Sequence, residues 1–205
     1  MLDIRVILYD LDGVLVDACD WHYYALNKAL QQVAEFKISD EEHNKTFNGL
    51  PTKKKLEILK KQNKITDNDF AEIWDLKQKL TIETILEQAK EDKEKIELHK
   101  AMRAKGIIEA CVTNSIRSSA ELMLTKTGQL DYLKFVITNE DVKNPKPHPE
   151  GYIKAMIKLQ VFPENVLIVE DSDKGFQAAL FTSAKVLRVK NAKEVTLNKI
   201  LEAIK

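Results

Sequence analysis

Four short stretches of this chain carry side chains able to act on a charged substrate. The first is Tyr9-Asp10-Leu11-Asp12-Gly13-Val14, where two carboxylates two residues apart close an apolar run. Carboxylates this close repel each other unless a cation lies near them or one is protonated. Read as a strand end, alternation places Asp10 and Asp12 on one side and Leu11 on the other. Gly13 supplies the backbone freedom for a sharp exit. Aspartate is disfavoured in strands, which argues against an idle pair of solvated turn residues. The second stretch is Cys111-Val112-Thr113-Asn114-Ser115, ahead of a helical pattern. A hydroxyl, an amide and backbone N–H groups at a helix N-terminus suit an anion, although the same residues also make an ordinary helix cap. The third is Asn144-Pro145-Lys146-Pro147-His148-Pro149, with three of the chain's five prolines. Proline fixes its own φ and restricts the residue before it. Lys146 is therefore held with little entropy left to lose, as a rigid ammonium that suits a phosphate oxygen and separates crowded carboxylates. His148 reads as exposed loop. The fourth is Ile168-Val169-Glu170-Asp171-Ser172-Asp173-Lys174-Gly175. Its hard oxygen ligands suit Mg²⁺, which keeps several waters and takes one or two carboxylates plus substrate phosphate. Asp173 by itself also reads as a helix cap.

The elements that must bring these stretches together follow from the apolar pattern. Residues 4–9, 107–112, 135–138, 166–169 and 185–189 are short, β-branched and mostly apolar on both faces, as strands of a buried parallel sheet require. Helical patterns at 98–105, 118–126, 151–159, 175–181 and 195–204 alternate with them. That alternation implies βαβ units in a doubly wound α/β sheet, in which ligands bind beyond the carboxyl ends of the strands. The middle of the chain has a different texture. Residues 21–33, 52–60 and 69–89 carry apolar side chains at three- and four-residue spacing, with one Gly and one Pro, at Gly49-Leu50-Pro51, as the turn signal. The expected organisation is an α/β core of residues 1–17 and 96–205 and a helical insertion of residues 18–95.

Composition narrows the function classes. Apolar residues make up 44% and charged residues 31% of the 205, a globular balance. Basic and acidic residues are equal at 32 each, so the basic excess of a nucleic-acid binder is missing. No apolar run approaches the roughly 18 residues of a membrane span, and the stretch 4–9 is too short and too weakly flanked for a signal peptide. Cys19 and Cys111 make no disulfide framework, which fits a reducing, cytoplasmic setting. There is no Gly-x-x-x-x-Gly-Lys loop, Gly-x-Ser-x-Gly or His-Glu-x-x-His, and the four histidines are scattered, so zinc is not expected.

In this order the four stretches resemble the motifs of the haloacid dehalogenase (HAD) superfamily. Residues 10–17 resemble its first motif, 112–115 the second, 146–152 the third and 169–175 the fourth. The insertion after the first motif resembles the α-helical cap of the β-phosphoglucomutase and phosphoglycolate-phosphatase branch, on a Rossmann-like core. The dehalogenases themselves lack the second aspartate, so Asp12 points to phosphoryl transfer. The resemblance implies that Asp10 attacks phosphorus and becomes a phospho-aspartate, while Asp12 protonates the leaving oxygen and then takes a proton from water. It implies Mg²⁺ held by the Asp10 carboxylate, the Asp12 main-chain carbonyl and Asp171, with Glu170 acting through a water. Thr113 and the Asn114 N–H hold the transferring group and Lys146 offsets its charge. In the cap, His22 resembles a hinge histidine but reads equally as a helix-face residue of no consequence. Ala18 stands where relatives often have Ser or Thr, which weakens mutase-like contacts. Residues 49–53 resemble a specificity loop, so Lys53 is a candidate for a substrate anion as well as a solvated lysine, and Lys79 is a further cap candidate. The expectation is a phosphatase for a small phosphorylated metabolite such as a sugar phosphate, acting as a monomer or weak homo-oligomer without nucleic-acid or membrane partners. A β-phosphoglucomutase-like mutase is the alternative. A non-enzymatic interaction module using the lysine-rich residues 53–64 is a third reading.

Overall fold

A computed structural model describes residues 4–205. Its strands are β1 (Val6–Tyr9), β2 (Ile108–Val112), β3 (Val136–Ile137), β4 (Val166–Glu170) and β5 (Lys185–Arg188). The helices in chain order are α1 (Cys19–Ala34), α2 (Asp40–Glu42), α3 (Thr52–Lys61), α4 (Asp67–Gln88), α5 (Lys93–Ala104), α6 (Arg117–Lys126), α7 (Glu150–Leu159), α8 (Asp173–Leu180) and α9 (Leu197–Ala203). The chain divides into two compact units, one formed by residues up to Asp17 with Lys90–Lys205 and the other by Ala18–Ala89.

In the first unit the strands form one sheet in the order β3-β2-β1-β4-β5, every pair parallel. Each residue of β1 and β4 is buried, which explains why both read as unbroken apolar runs. Chain order reverses beside β1: β2 and β3 follow on one side, β4 and β5 on the other. Such a reversal opens a crevice at the carboxyl ends of the strands. Tyr9 is in register with both Cys111 and Val169. Asp10 and Glu170, each one residue further on, therefore leave neighbouring strands at the same level. Tyr152, Ala155 and Met156 of α7 and Ala178 and Ala179 of α8 pack against Val6, Leu8, Val166 and Ile168 of the sheet in one buried cluster.

Residues 90–95, expected in the helical insertion, belong to the α/β unit. The helix starts at Lys93 because the Asp92 carboxylate accepts the Lys95 N–H at 3.0 Å, and Lys95 Nζ donates to the Ala192 carbonyl at 2.8 Å. Its first turn is mostly charged, so the apolar period becomes visible only at Leu98. The second unit packs Ala25, Leu26, Ala29 and Leu30 of α1 with Leu56 and Leu59 of α3 and Ile73 and Leu80 of α4. A capping box between Thr66 and Asp69 starts α4. The short helix α2 and the π-helical turn His43–Phe47 that follows were not expected; their residues are mostly polar and carry no helical period. Among the described residues no helix is long and apolar enough to cross a membrane.

Candidate active site

The segment bearing Asp10 and Asp12 is a turn, not a strand end. β1 stops at Tyr9, and the Asp10 N–H donates to the Val169 carbonyl at 3.0 Å. Beyond it the N–H groups of Val14, Leu15 and Val16 converge on the Leu11 carbonyl at 3.2, 2.9 and 3.0 Å, and Gly13 N–H donates to Val16 at 2.7 Å. Gly13 has φ +88°, the left-handed region that a side chain would disfavour. Strand alternation is therefore not what relates Asp10 to Asp12; the buried side chains of Leu11, Val14, Leu15 and Val16 anchor the turn that does. Asp12 Oδ2 accepts the Ser115 hydroxyl at 2.7 Å, which joins the first stretch to the second.

Lys146 is the centre of the cluster. Its Nζ lies 2.6 Å from Asp10 Oδ1 and 2.6 Å from Glu170 Oε1, and the residue is only 6% exposed. The Asn114 side chain grips the lysine's backbone from both ends, accepting its N–H at 3.0 Å and donating to its carbonyl at 3.1 Å. Thr113 Oγ1 accepts the Ser115 N–H at 3.0 Å, and Asn139 Nδ2 donates to the Asn114 carbonyl at 2.7 Å, so the second stretch is itself pinned. Glu170 is completely buried. The Tyr152 hydroxyl donates to its Oε1 at 2.5 Å and the Asp171 N–H to its Oε2 at 3.2 Å. Lys146 Nζ also sits 4.7 Å from the centre of the Tyr152 ring.

Charge and burial oppose each other here. Burial pushes the Asp10 carboxyl well above the usual carboxylate range despite Lys146, with Glu170, Asp171 and Asp12 pushing the same way. Burial and then Glu170 push Asp171 up to about 7. Burial alone would lower the Lys146 ammonium, but the Asp10 and Glu170 carboxylates hold it above its ordinary value. Asp10, Glu170 and Asp171 each offer a carboxylate oxygen within 4.8 Å of the others, against the one ammonium of Lys146. A hard, all-oxygen donor set with excess negative charge fits a divalent cation such as Mg²⁺. Cys111, in β2 and in register with Tyr9, is buried and its thiol is pushed up by that burial, so it reads as core rather than nucleophile.

Of the residues singled out from the sequence, Asp10, Asp171 and Lys146 meet directly around Glu170, and Asp12, Thr113 and Asn114 are tied to them by Ser115 and the Asn114 amide. His22, Lys53 and Lys79 lie in the helical unit. His22 Nδ1 is 3.3 Å from Nζ of Lys77, a buried lysine that the sequence did not single out. Lys79 is exposed: two residues along a helix turn about 200°, so Lys77 and Lys79 face opposite ways. Lys53 is exposed, its Nζ 5.9 Å from the centre of the Trp74 ring. Ser115, Tyr152 and the Asn114 side chain are also additions to the expected set. Lys77 was detectable in principle, since it falls on the stripe of Ile73, Leu80 and Thr81.

A family model described as haloacid dehalogenase-like hydrolase matches residues 7–189. The phosphorylated carbohydrates phosphatase of Thermotoga maritima is 27% identical over 177 residues, covering 85% of this chain and 80% of that protein. A pyrophosphatase of Oceanobacillus iheyensis is 28% identical over 179 residues, covering 83% and 76%. The crystal structure of a β-phosphoglucomutase from Clostridium difficile superposes with a TM-score of 0.83 at 23% identity, over 98% of this chain and 97% of that one, which establishes the shared fold. With the matched region spanning all four stretches that meet around Lys146, the chain belongs to the haloacid dehalogenase-like hydrolases.

Proposed function

We propose that this hydrolase is a magnesium-dependent phosphatase that cleaves a small phosphorylated metabolite through a phospho-aspartate on Asp10. The observation that carries this reading is the Lys146 ammonium bridging Asp10 and Glu170 at 2.6 Å each, with Asp171 beside them and Asp12 held by Ser115. In the first step an Asp10 oxygen forms a bond to phosphorus while the ester P–O bond breaks, and the leaving oxygen takes its proton from Asp12. In the second, Asp12 removes a proton from water as the water oxygen attacks the phospho-aspartate; the acyl-phosphate bond breaks, inorganic phosphate departs and Asp10 is restored. Thr113 and the Asn114 N–H hold the transferring group, and Lys146 offsets its charge, so catalysis is mainly positioning and electrostatic stabilisation. Asp10, Asp171 and the Asp12 main-chain carbonyl would hold Mg²⁺, with Glu170 acting through a water. When bound, the cation offsets phosphate charge.

A sugar phosphate is the first substrate class to examine, since the Thermotoga maritima relative is named for phosphorylated carbohydrates; the pyrophosphatase relative puts pyrophosphate second. The test is a screen of phosphorylated metabolites with Mg²⁺ for release of inorganic phosphate, repeated with Asp10→Asn. Release from a defined group of esters, abolished by the substitution, supports the reading. An isomerised sugar phosphate with no phosphate released would replace it with a mutase, and salt-sensitive binding without turnover would replace it with an interaction module.

A further inference from the structure

Four polar side chains outside the cluster form one connected, buried network. The Tyr9 hydroxyl donates to Glu109 Oε1 at 2.9 Å, and His99 Nδ1 lies 3.0 Å from the same oxygen. His99 Nε2 lies 3.1 Å from Gln129 Oε1. Gln129 Nε2 donates to the Leu15 carbonyl at 3.0 Å and to Thr127 Oγ1 at 2.9 Å. None of the four side chains belongs to a residue more than 3% exposed.

The network leaves its members little orientational freedom. The Leu15 carbonyl can only accept, so the Gln129 NH₂ must face it. The Thr127 hydroxyl donates to the Met123 carbonyl at 2.9 Å and so accepts from Gln129. Gln129 Oε1 is thereby turned to His99, whose Nε2 must carry a hydrogen. Tyr132 stacks on the imidazole, with ring centres 5.5 Å apart at 13°, and Tyr9 meets its edge at 5.9 Å and 85°. Burial and then the Glu109 carboxylate push the Tyr9 phenol up, which keeps it a donor.

Burying such a network is costly unless every member is satisfied, and a packed apolar core stabilises as well. Its two ends show what it holds. Tyr9 immediately precedes Asp10, and Leu15 belongs to the turn whose N–H groups converge on Leu11. His99 on α5, Glu109 on β2 and Gln129 after α6 thus grip residues 9–15 at both ends. We infer that Glu109, His99 and Gln129 are positioning residues that hold the segment bearing Asp10 and Asp12 in line for attack on phosphorus. The inference rests on Asp10 being the nucleophile. None of the three touches the reacting atoms, and a ~1 Å misplacement of a reacting group costs on the order of 10²-fold in rate.

The experiment compares Gln129→Met, which keeps side-chain length and removes the amide, with Tyr9→Phe and with Val186→Ala on the edge strand β5 as a stability-matched control. Amide hydrogen exchange of residues 11–16 reads the segment directly, and kcat with KM reads its consequence. Expected in the first two variants are exchange at 11–16 faster by ~10-fold, kcat lower by ~10- to 10²-fold and KM unchanged, with neither effect in Val186→Ala. Unchanged exchange and kcat in a folded Gln129→Met or Tyr9→Phe, or an equal kcat loss in the control, overturns the inference. Should the wild type release phosphate from no ester, the nucleophile reading fails, while exchange at 11–16 still decides whether the network holds the segment.

Discussion

Gly175→Ala tests how tightly the Lys146 cluster is supported. Gly175 lies in the first turn of α8, where its N–H is capped by Ser172 Oγ at 3.0 Å. A methyl group placed there would lie 1.9 Å from Glu170 Oε1, 2.1 Å from its Cδ and 2.1 Å from Oε2. Ordinary contact begins near 3.4 Å, so the carboxylate must retreat by about 1.3–1.5 Å. That retreat is not cheap, because Glu170 is fully buried and its Oε1 holds Lys146 at 2.6 Å and Tyr152 at 2.5 Å. Each hydrogen bond to a charged group is worth ~1.5–3 kcal/mol, overpacking adds ~1–3 kcal/mol, and alanine's better helix propensity returns only ~1 kcal/mol. With the Lys146 bond lost, a destabilisation of roughly 1.5–5 kcal/mol is expected, measured from urea unfolding at unchanged m-value. Turnover should fall with it at temperatures where the variant is still folded, since Lys146 loses one of the two carboxylates that aim it. Shortening the acid should relieve the clash, so Gly175→Ala/Glu170→Asp should be less destabilised than the two single changes together. A Gly175→Ala protein within ~0.5 kcal/mol of wild type, the range of unremarkable substitutions, and fully active would refute the reasoning.

Tyr152→Phe keeps the ring beside Lys146 and removes only the hydroxyl that donates to Glu170, so a loss of ~1.5–3 kcal/mol in urea unfolding is expected; an unchanged midpoint would mean that Glu170 is held without it. Mg²⁺ at about a hundred times its Kd should raise unfolding stability by ~2.7 kcal/mol, a thermal shift that Asp171→Asn should largely remove; an equal shift in that variant would place the cation elsewhere. Asp141 gives a pH dependence away from the site. Burial pushes its carboxyl up, but the N–H and hydroxyl of Thr138, at 2.8 and 2.9 Å, and the Arg117 guanidinium outweigh that and hold it below the usual range. A depressed carboxyl contributes stability above its unfolded value of about 3.9 that is lost as pH falls through the folded value. Being about a third exposed, it contributes ~1 kcal/mol at most. The stability gap between wild type and Asp141→Asn should therefore be flat above about pH 5 and shrink in more acidic buffer; a gap that widens with acid would contradict the assignment.

The strand ends and their chemistry were legible because a parallel sheet buries both faces of its strands, so polar residues closing apolar runs stand out: Asp10, Thr113 and Glu170 all do so. The order of those motifs then carried the family resemblance, while the strand order β3-β2-β1-β4-β5 came only with the structure. What geometry adds is less visible in one dimension. Asp10 and Asp12 look like alternating strand residues, yet the chain has already turned, through bonds to the Leu11 carbonyl that no residue type announces. Lys77 and Lys79 are equivalent as letters, and only the three- and four-residue stripe of Ile73, Leu80 and Thr81 marks Lys77 as the one that α4 buries. The first turn of α5 is charged and hides the helix start. Glu109 did leave a signal, a carboxylate within the apolar run of β2, but its partner His99, and Gln129 on the far side of that histidine, come from segments whose approach the sequence does not encode locally.

In the proposed phosphatase reaction phosphorus becomes covalently bonded to Asp10. The direct measurement is acid quench of a single turnover with a phosphate-labelled ester and Mg²⁺, followed by peptide mapping of the label. Predicted is an alkali-labile, hydroxylamine-sensitive phosphate on the peptide containing Asp10, absent from Asp10→Asn. Label on any other residue, or undiminished turnover by Asp10→Asn, would contradict it.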